Sequence, residues 1–394
     1  MNILYICDEY PPCKHGGIGT VTQNLARILV ERGNNVVVVG FYPYLRKAAE
    51  RENDNGVKVY RFFYGSKWKL FLSRNQFTSR FINIRKDFYQ YIVKLRCLIA
   101  EYKIEIIEIP DFVEAFRYGG LKKISFPDFG VPTVLKVHGS QSFLNYYSNK
   151  NTNNVLSRNE RNHILNAKHI IAVSSFSKTF IKDFFKHKGP VKVIHNGVLV
   201  NKKASEHNPT SPCYAVYAGK LSETKGTFNL IRSWQKVHRE IPESKLYIYG
   251  NGSKKIVKKL KEYITCLNLD NFIQLKGFIE KEELLIVYNT ATCAIFPSFI
   301  ENFSLAPMEA MQAGCPTIYT KLSSGPELIQ NQIDGILVDP NNLEDIADAI
   351  IVLLKDHNKA KEIGYNGMQR INTFFDIHEI ASQHMDFYKV LKYE

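Results

Sequence analysis

One alternation, run through twice and interrupted once, constrains this chain more than anything else in it. Short apolar segments rich in β-branched and aromatic residues alternate with longer segments of helical periodicity, the pattern of βαβ units and parallel sheets. Asn2–Ile6 reads as a first strand and Gly19–Arg32 as the helix after it, with Gly33 placed to cap it. Asn35–Phe41, Lys103–Ile109, Pro132–Val137, His169–Val173 and Val191–Ile194 read as further strands. Residues 201–211 then form a polar stretch without periodicity, which marks a domain boundary. The alternation restarts with Tyr214–Ala218, Lys245–Tyr249, Phe272–Leu275, Cys293–Phe296 and Thr317–Tyr319, separated by helices near 226–239, 253–267, 280–290 and 304–313. The spacing predicts an α/β protein of two Rossmann-like, doubly wound parallel-sheet domains, 1–198 and 199–375. A last helix over about 376–394 packs back on the first. Such sheets take ligands at the carboxyl ends of their strands, so the expected site is a cleft between the domains.

Length and composition agree with two soluble domains: 394 residues, 45% hydrophobic and 23% charged. No apolar run approaches the roughly 20 residues of a membrane span. The opening MNILYICDEYPP has no basic leader before an apolar stretch, and the seven scattered cysteines form no CxxC pair. A reducing, cytoplasmic setting is expected. The net charge of +14 is uneven: residues 1–200 hold 30 basic and 15 acidic residues, and the remainder 22 and 23. Between 66 and 103 lie nine basic residues (Lys67, Lys69, Arg74, Arg80, Arg85, Lys86, Lys94, Arg96, Lys103) with aromatics interleaved, among them Phe71, Phe77, Phe81, Phe88 and Tyr91. Two readings stand: a surface for an anionic membrane, a nucleic acid or an acidic substrate, or a solvated helix face whose aromatics form core.

Three segments carry chemistry. Lys14-His15-Gly16-Gly17-Ile18-Gly19 joins the first strand to its helix, where glycines let backbone N–H groups approach an anion. Gly219-Lys220 to Lys225-Gly226 follows the first strand of the second half, and two lysines across a turn can neutralise one diphosphate. In Phe296-Pro297-Ser298-Phe299-Ile300-Glu301-Asn302-Phe303-Ser304-Leu305-Ala306-Pro307-Met308-Glu309, Glu301 precedes a helix and Glu309 lies within it. A diphosphate at that helix start would meet the N–H groups of Phe303, Ser304 and Leu305.

Glu301 and Glu309, seven residues between them, with their surroundings, resemble the motif of the family-4 glycosyltransferases of the GT-B fold. Gly16-Gly17-Ile18-Gly19, His138-Gly139, His195-Asn196-Gly197, Gly219-Lys220 to Lys225-Gly226, Gly250-Asn251-Gly252, Gly277 and Gly325-Pro326-Glu327-Leu328 follow in the family's order. The resemblance implies a retaining transfer that needs no cofactor or metal, and the chain has no Asp-x-Asp. It implies that Glu301 meets the donor sugar, Glu309 the ribose, Lys220 and Lys225 the β-phosphate, Phe278 the base, and Gly16 and Gly17 the diphosphate. His138 would reach the transferred sugar; a structural histidine at a strand end is the other reading. The family often has Arg where Lys220 stands, and glycine where Asn302 stands. The donor expected is a UDP- or GDP-linked hexose or N-acetylhexosamine, and the acceptor a glycan or lipid-linked molecule of bacterial surface polysaccharide assembly, reached from the inner face of the membrane. Nucleic acid is not an expected partner. The alternatives are a starch or glycogen synthase, whose Lys-x-Gly-Gly-Leu-Gly resembles Lys14–Gly19, and a non-catalytic nucleotide- or glycan-binding protein.

Overall fold

The computed structural model describes residues 1–12, 16–43, 49–64, 84–113, 115–116, 124–148, 150, 152, 154–200, 207–210 and 213–393. Two compact units emerge: Met1–Gly197 together with Ile377–Glu394, and Val198–Asp376.

The first unit is built on β1 (Asn2–Ile6), β2 (Asn35–Pro43), β3 (Arg51–Asp54), β4 (Val57–Tyr64), β5 (Ile106–Pro110), β6 (Thr133–Val137), β7 (His169–Ala172) and β8 (Val191–Val193). They lie in the order β3-β4-β2-β1-β5-β6-β7-β8, parallel except for β3 against β4. The β3–β4 hairpin is missing from the sequence reading. Its turn is Asn55-Gly56, both at positive φ (50° and 89°), the mirror-image turn that Asn-Gly favours. Strand β5 starts at Ile106 rather than Lys103, because Lys103 takes a left-handed φ of 48° where the preceding helix ends.

That preceding helix, Arg85–Glu101, settles part of the question about the basic segment. Phe88, Tyr91, Ile92, Leu95 and Leu98 are buried, and Tyr91 stacks on Phe41 at 4.6 Å. Tyr91 is therefore core, not an outward-facing membrane anchor. Arg85, Lys86, Lys94 and Arg96 are exposed on the opposite face. Lys67, Lys69, Phe71, Arg74, Phe77, Arg80 and Phe81 lie outside the described residues.

Alternation along β1 sends Leu4 and Ile6 to one face of the sheet and Ile3 and Tyr5 to the other, each into its own apolar cluster. The second cluster is closed by the helix Ile377–Lys392, which contributes Ile377, Ile380, Ala381, Tyr388 and Leu391. Burying an aliphatic side chain of this size stabilises by about 1.5–3 kcal/mol.

The second unit has β9 (Tyr214–Ala218), β10 (Lys245–Tyr249), β11 (Ile273–Gly277), β12 (Cys293–Phe296), β13 (Thr317–Thr320) and β14 (Ile336–Val338). Their order is β11-β10-β9-β12-β13-β14, all parallel. Sequence order reverses between β9 and β12, and such a switch point is where open parallel sheets bind ligands. The loops leaving these two strands carry Lys220, Lys225 and Glu301.

Candidate active site

Strand β9 ends at Ala218, and Gly219 turns the chain at φ 156° while its N–H donates to the Tyr249 carbonyl at 3.1 Å. A single tight turn, Glu223–Lys225, ends at Gly226, whose φ is 71°. A Cβ on Gly226 would stand 1.9 Å from the Pro297 carbonyl oxygen, so only glycine lets these two loops touch. The Phe299 N–H donates to the Thr224 carbonyl at 2.9 Å, stitching the same loops once more.

This stitching brings Lys225 to Glu301. The lysine Nζ lies 2.5 Å from Glu301 Oε1, and Ser298 Oγ donates to the same oxygen at 2.9 Å. Glu301 is 8% exposed; its N–H donates to Ser323 Oγ at 3.3 Å and its carbonyl accepts from Ser324 Oγ at 3.3 Å. Glu301 is thus held at four points, two on one carboxylate oxygen and two on its backbone. Ser298, Ser323 and Ser324 were not singled out from the sequence, although Ser298 stands three residues before Glu301.

The helix Leu305–Gln312 begins just beyond, with Ser304 extended at its N-cap and its hydroxyl not used as a cap. Phe303 is buried with its ring 5.4 Å from that of Phe375, so this residue offers a ligand its backbone rather than its side chain. Glu309 ion-pairs with Lys281 at 3.2 Å. Lys281 opens the helix Lys281–Thr290 and follows Gly277 (φ 77°) and the exposed Phe278. Nothing in the sequence pattern singled it out. Lys220 is exposed, and its carbonyl accepts from the Tyr217 hydroxyl at 2.9 Å.

In the first unit, Gly16 is extended and Gly17 opens the helix Gly17–Glu31; the Gly16 N–H donates to Glu9 Oε2 at 3.2 Å. Lys14 and His15 of that motif lie outside the described residues. His138 follows β6 directly. Asp111, which follows β5, accepts the N–H groups of His138 at 2.9 Å and Gly139 at 3.0 Å, one on each oxygen. Glu160 takes the next pair, the N–H groups of Gln141 at 3.0 Å and Ser142 at 2.9 Å. Two fully buried carboxylates therefore hold the turn that carries His138. Burial, with Glu160 nearby, pushes Asp111 up to about 7 against the pull of its N–H donors. His138 is held well below the ordinary imidazole range, first by desolvation and then by Lys136 and His384, so it is a neutral hydrogen-bonding group. Asp111 and Glu160 escaped the sequence reading; the position of Asp111 immediately after a buried strand was the available signal.

Two family patterns match nearly end to end. The one described as "Glycosyltransferase Family 4" covers residues 15–202, and the one described as "Glycosyl transferases group 1" covers residues 198–370. The chain is similar to the glycogen synthase of Mycobacterium tuberculosis, with 24% identity over 100% of this chain and 95% of that one. Its fold is that of a sucrose-phosphate synthase from Thermosynechococcus elongatus (TM-score 0.79, 18% identity, 99% of both chains). It is equally that of Anabaena HepE in complex with UDP and glucose (TM-score 0.70, 19% identity, 99% of this chain and 100% of that one). With the ordered glycine turns, the two-carboxylate segment and two doubly wound sheets, these likenesses identify the chain as an enzyme, a glycosyltransferase of the family-4 type with the GT-B fold.

Proposed function

We propose that this glycosyltransferase is retaining and metal-independent, and that it moves a hexose or N-acetylhexosamine from a UDP- or GDP-linked donor to a glycan or lipid-linked acceptor. The observation that carries the reading is the Lys225–Glu301 pair at the switch point of the second sheet, beside the start of the helix Leu305–Gln312. An ammonium and a helix N-terminus together neutralise a leaving diphosphate, the task a metal performs elsewhere. A fixed carboxylate suits the hydroxyl groups of a sugar. Glu309 is assigned the ribose, Phe278 the base, Gly16 and Gly17 the diphosphate, and His138 the transferred sugar. That Anabaena HepE was crystallised with UDP and glucose supports a uridine donor.

In the proposed reaction the bond from the anomeric carbon to the phosphate oxygen breaks while the acceptor oxygen bonds on the same face. The acceptor proton passes to the departing phosphate oxygen, so no enzyme nucleophile is required. The test is the anomeric configuration of the product by NMR, in buffer with and without chelator. Retention with unchanged rate in chelator is expected; an inverted linkage overturns the reading, and loss of rate in chelator overturns its metal-free part.

The acceptor is assigned to the first unit, where the positive charge lies, and the setting to bacterial surface polysaccharide assembly at the inner face of the cytoplasmic membrane. Among the described residues no helix is long and apolar enough to cross a membrane. The full-length likeness to a glycogen synthase favours a second reading, glucan elongation. Incorporation into a glycogen primer rather than a lipid-linked acceptor would select it.

A further inference from the structure

Beneath the His138 turn lies a buried polar network that neither the proposed chemistry nor the packing of the fold requires. Tyr5 on β1, Glu108 on β5 and Lys136 on β6 stand on three neighbouring strands. Tyr5 and Glu108 are register partners, and Lys136 pairs with Pro110, two residues along β5 from Glu108. They meet His384 and Tyr388 from the helix Ile377–Lys392. Lys136 Nζ lies 3.1 Å from His384 Nε2 and 3.9 Å from Glu108 Oε1. The Tyr388 hydroxyl donates to Glu108 Oε2 at 2.5 Å and lies 3.2 Å from the Tyr5 hydroxyl. His384 Nδ1 lies 2.9 Å from the Ile380 carbonyl, so that nitrogen carries the proton and Nε2 accepts from the lysine.

Lys136 is 1% exposed and His384 is fully buried. A lysine and a glutamate in such a place are costly, and apolar residues of the same volume usually serve stability as well or better. The helix also buries Ile377, Ile380, Ala381 and Leu391 in the apolar cluster of this unit. What the network adds is position. Lys136 is the last residue but one of β6, and His138 follows that strand directly. Strand β5 then grips β6 twice: Glu108 at Lys136, and Asp111 at the His138 N–H.

We propose that Lys136 and His384 are positioning residues, which set the His138 turn by coupling it to the seated helix Ile377–Lys392. The inference rests on the role assigned to His138. The charged and titratable groups facing this cluster are Glu108, Asp111, Lys136, His138, His384, Tyr5 and Tyr388; burial raises Glu108 and lowers Lys136, each against the pull of the other's charge, and beside desolvation His138 is lowered by the lysine. Removing it relieves the repulsion that lowers His138, so the histidine's titration moves upward toward its ordinary value.

The test compares His138→Ala, Lys136→Met and the double variant Glu108→Gln/Lys136→Met, which strands no carboxylate and so guards against simple misfolding. For the double variant we expect a normal thermal transition and UDP affinity unchanged within about twofold, with kcat lowered about tenfold. The acid limb of its pH–rate profile should move to higher pH. A double variant with full kcat and an unmoved acid limb, while His138→Ala is impaired, overturns the positioning role alone. A fully active His138→Ala overturns the assignment of His138 and this inference with it.

Discussion

Lys225 and Glu301, 76 residues apart in the chain, hold each other at 2.5 Å across the ends of β9 and β12. A donor entering here must share this pair rather than meet two separate charges, and the substitutions should show it. Glu301→Ala is expected to lower kcat by about 10²–10³-fold while leaving UDP affinity within about threefold, because the task proposed for it concerns the sugar. Lys225→Ala should impair both and, by leaving a buried carboxylate unpaired, cost about 1–3 kcal/mol of stability. The double substitution should cost less than the sum of the two. Steady-state kinetics with calorimetry on all three variants checks this, and equal losses of UDP affinity in the two single variants would reverse the assignment.

Glu309→Ala should weaken UDP binding about tenfold with a smaller effect on turnover, since a charged group is lost from the proposed ribose site. Lys281→Met leaves that carboxylate without its cation. Because the pair is partly exposed, with side chains 45% and 17% accessible, its contribution should fade as salt rises. Calorimetric titrations at low and high ionic strength decide whether the lysine contributes.

Gly226→Ala should be severe for its size. The added methyl collides with the Pro297 carbonyl, and the backbone is left-handed at that residue, so the loops bearing Lys225 and Glu301 must separate. A loss of about 1–3 kcal/mol from backbone strain is expected. It should come with a fall in kcat, because the loops that must separate carry Lys225 and Glu301. Thermal melts and initial rates suffice.

Asp111 should make stability fall as pH rises. Its folded pKa of about 7 stands above the ordinary aspartate value, so the folded state holds a proton that the unfolded chain has released between pH about 4 and 7. Its contribution is therefore lost with rising pH across that window, at up to about 1.4 kcal/mol per pH unit. Asp111→Asn should remove this slope. Denaturant titrations of both proteins at three pH values give the comparison; parallel slopes would refute it.

Membrane association, if the basic segment mediates it, should need anionic lipid, weaken with salt and fall when Arg74, Arg80, Arg85 and Lys86 are neutralised, each contributing about 1 kcal/mol near such a leaflet. Tyr91→Ala should instead lower stability without altering the lipid dependence, because its ring is stacked in the core. Co-sedimentation with neutral and anionic vesicles separates the two effects; equal binding to both would remove the membrane claim.

Much of the fold was legible because buried parallel strands are written as short apolar runs, Asn35–Phe41 and Tyr214–Ala218 being the plainest. The β3–β4 hairpin was also written, in Asn55-Gly56, but its strands are half polar and β3 sits at an edge, where burial imposes no apolar pattern. At the site, Lys225 announced itself through a glycine-bounded loop and Glu301 through its place before a helix and its spacing to Glu309. Lys281, Ser323 and Asp111 did not, since each acts through a partner far away in sequence, and spacing along a chain carries no record of contacts across it. The interruption near 201–211 showed where one unit gives way to the next. It could not show that Tyr388 would end beside Tyr5.

That last contact has a bearing on how the protein is made. Tyr5 and Tyr388 are 383 residues apart, yet both belong to the first unit. When Gly197 leaves the ribosome, one apolar face of that unit's sheet still lacks the helix that covers it, and it stays so until the whole of Val198–Asp376 has been synthesised. The second unit, local in its contacts and contiguous in the chain, can finish in the meantime. The unit translated first is thus completed last. During that interval the part of this face that Ile377, Ile380, Ala381, Tyr388 and Leu391 will cover is open to a chaperone, or to another unfinished chain.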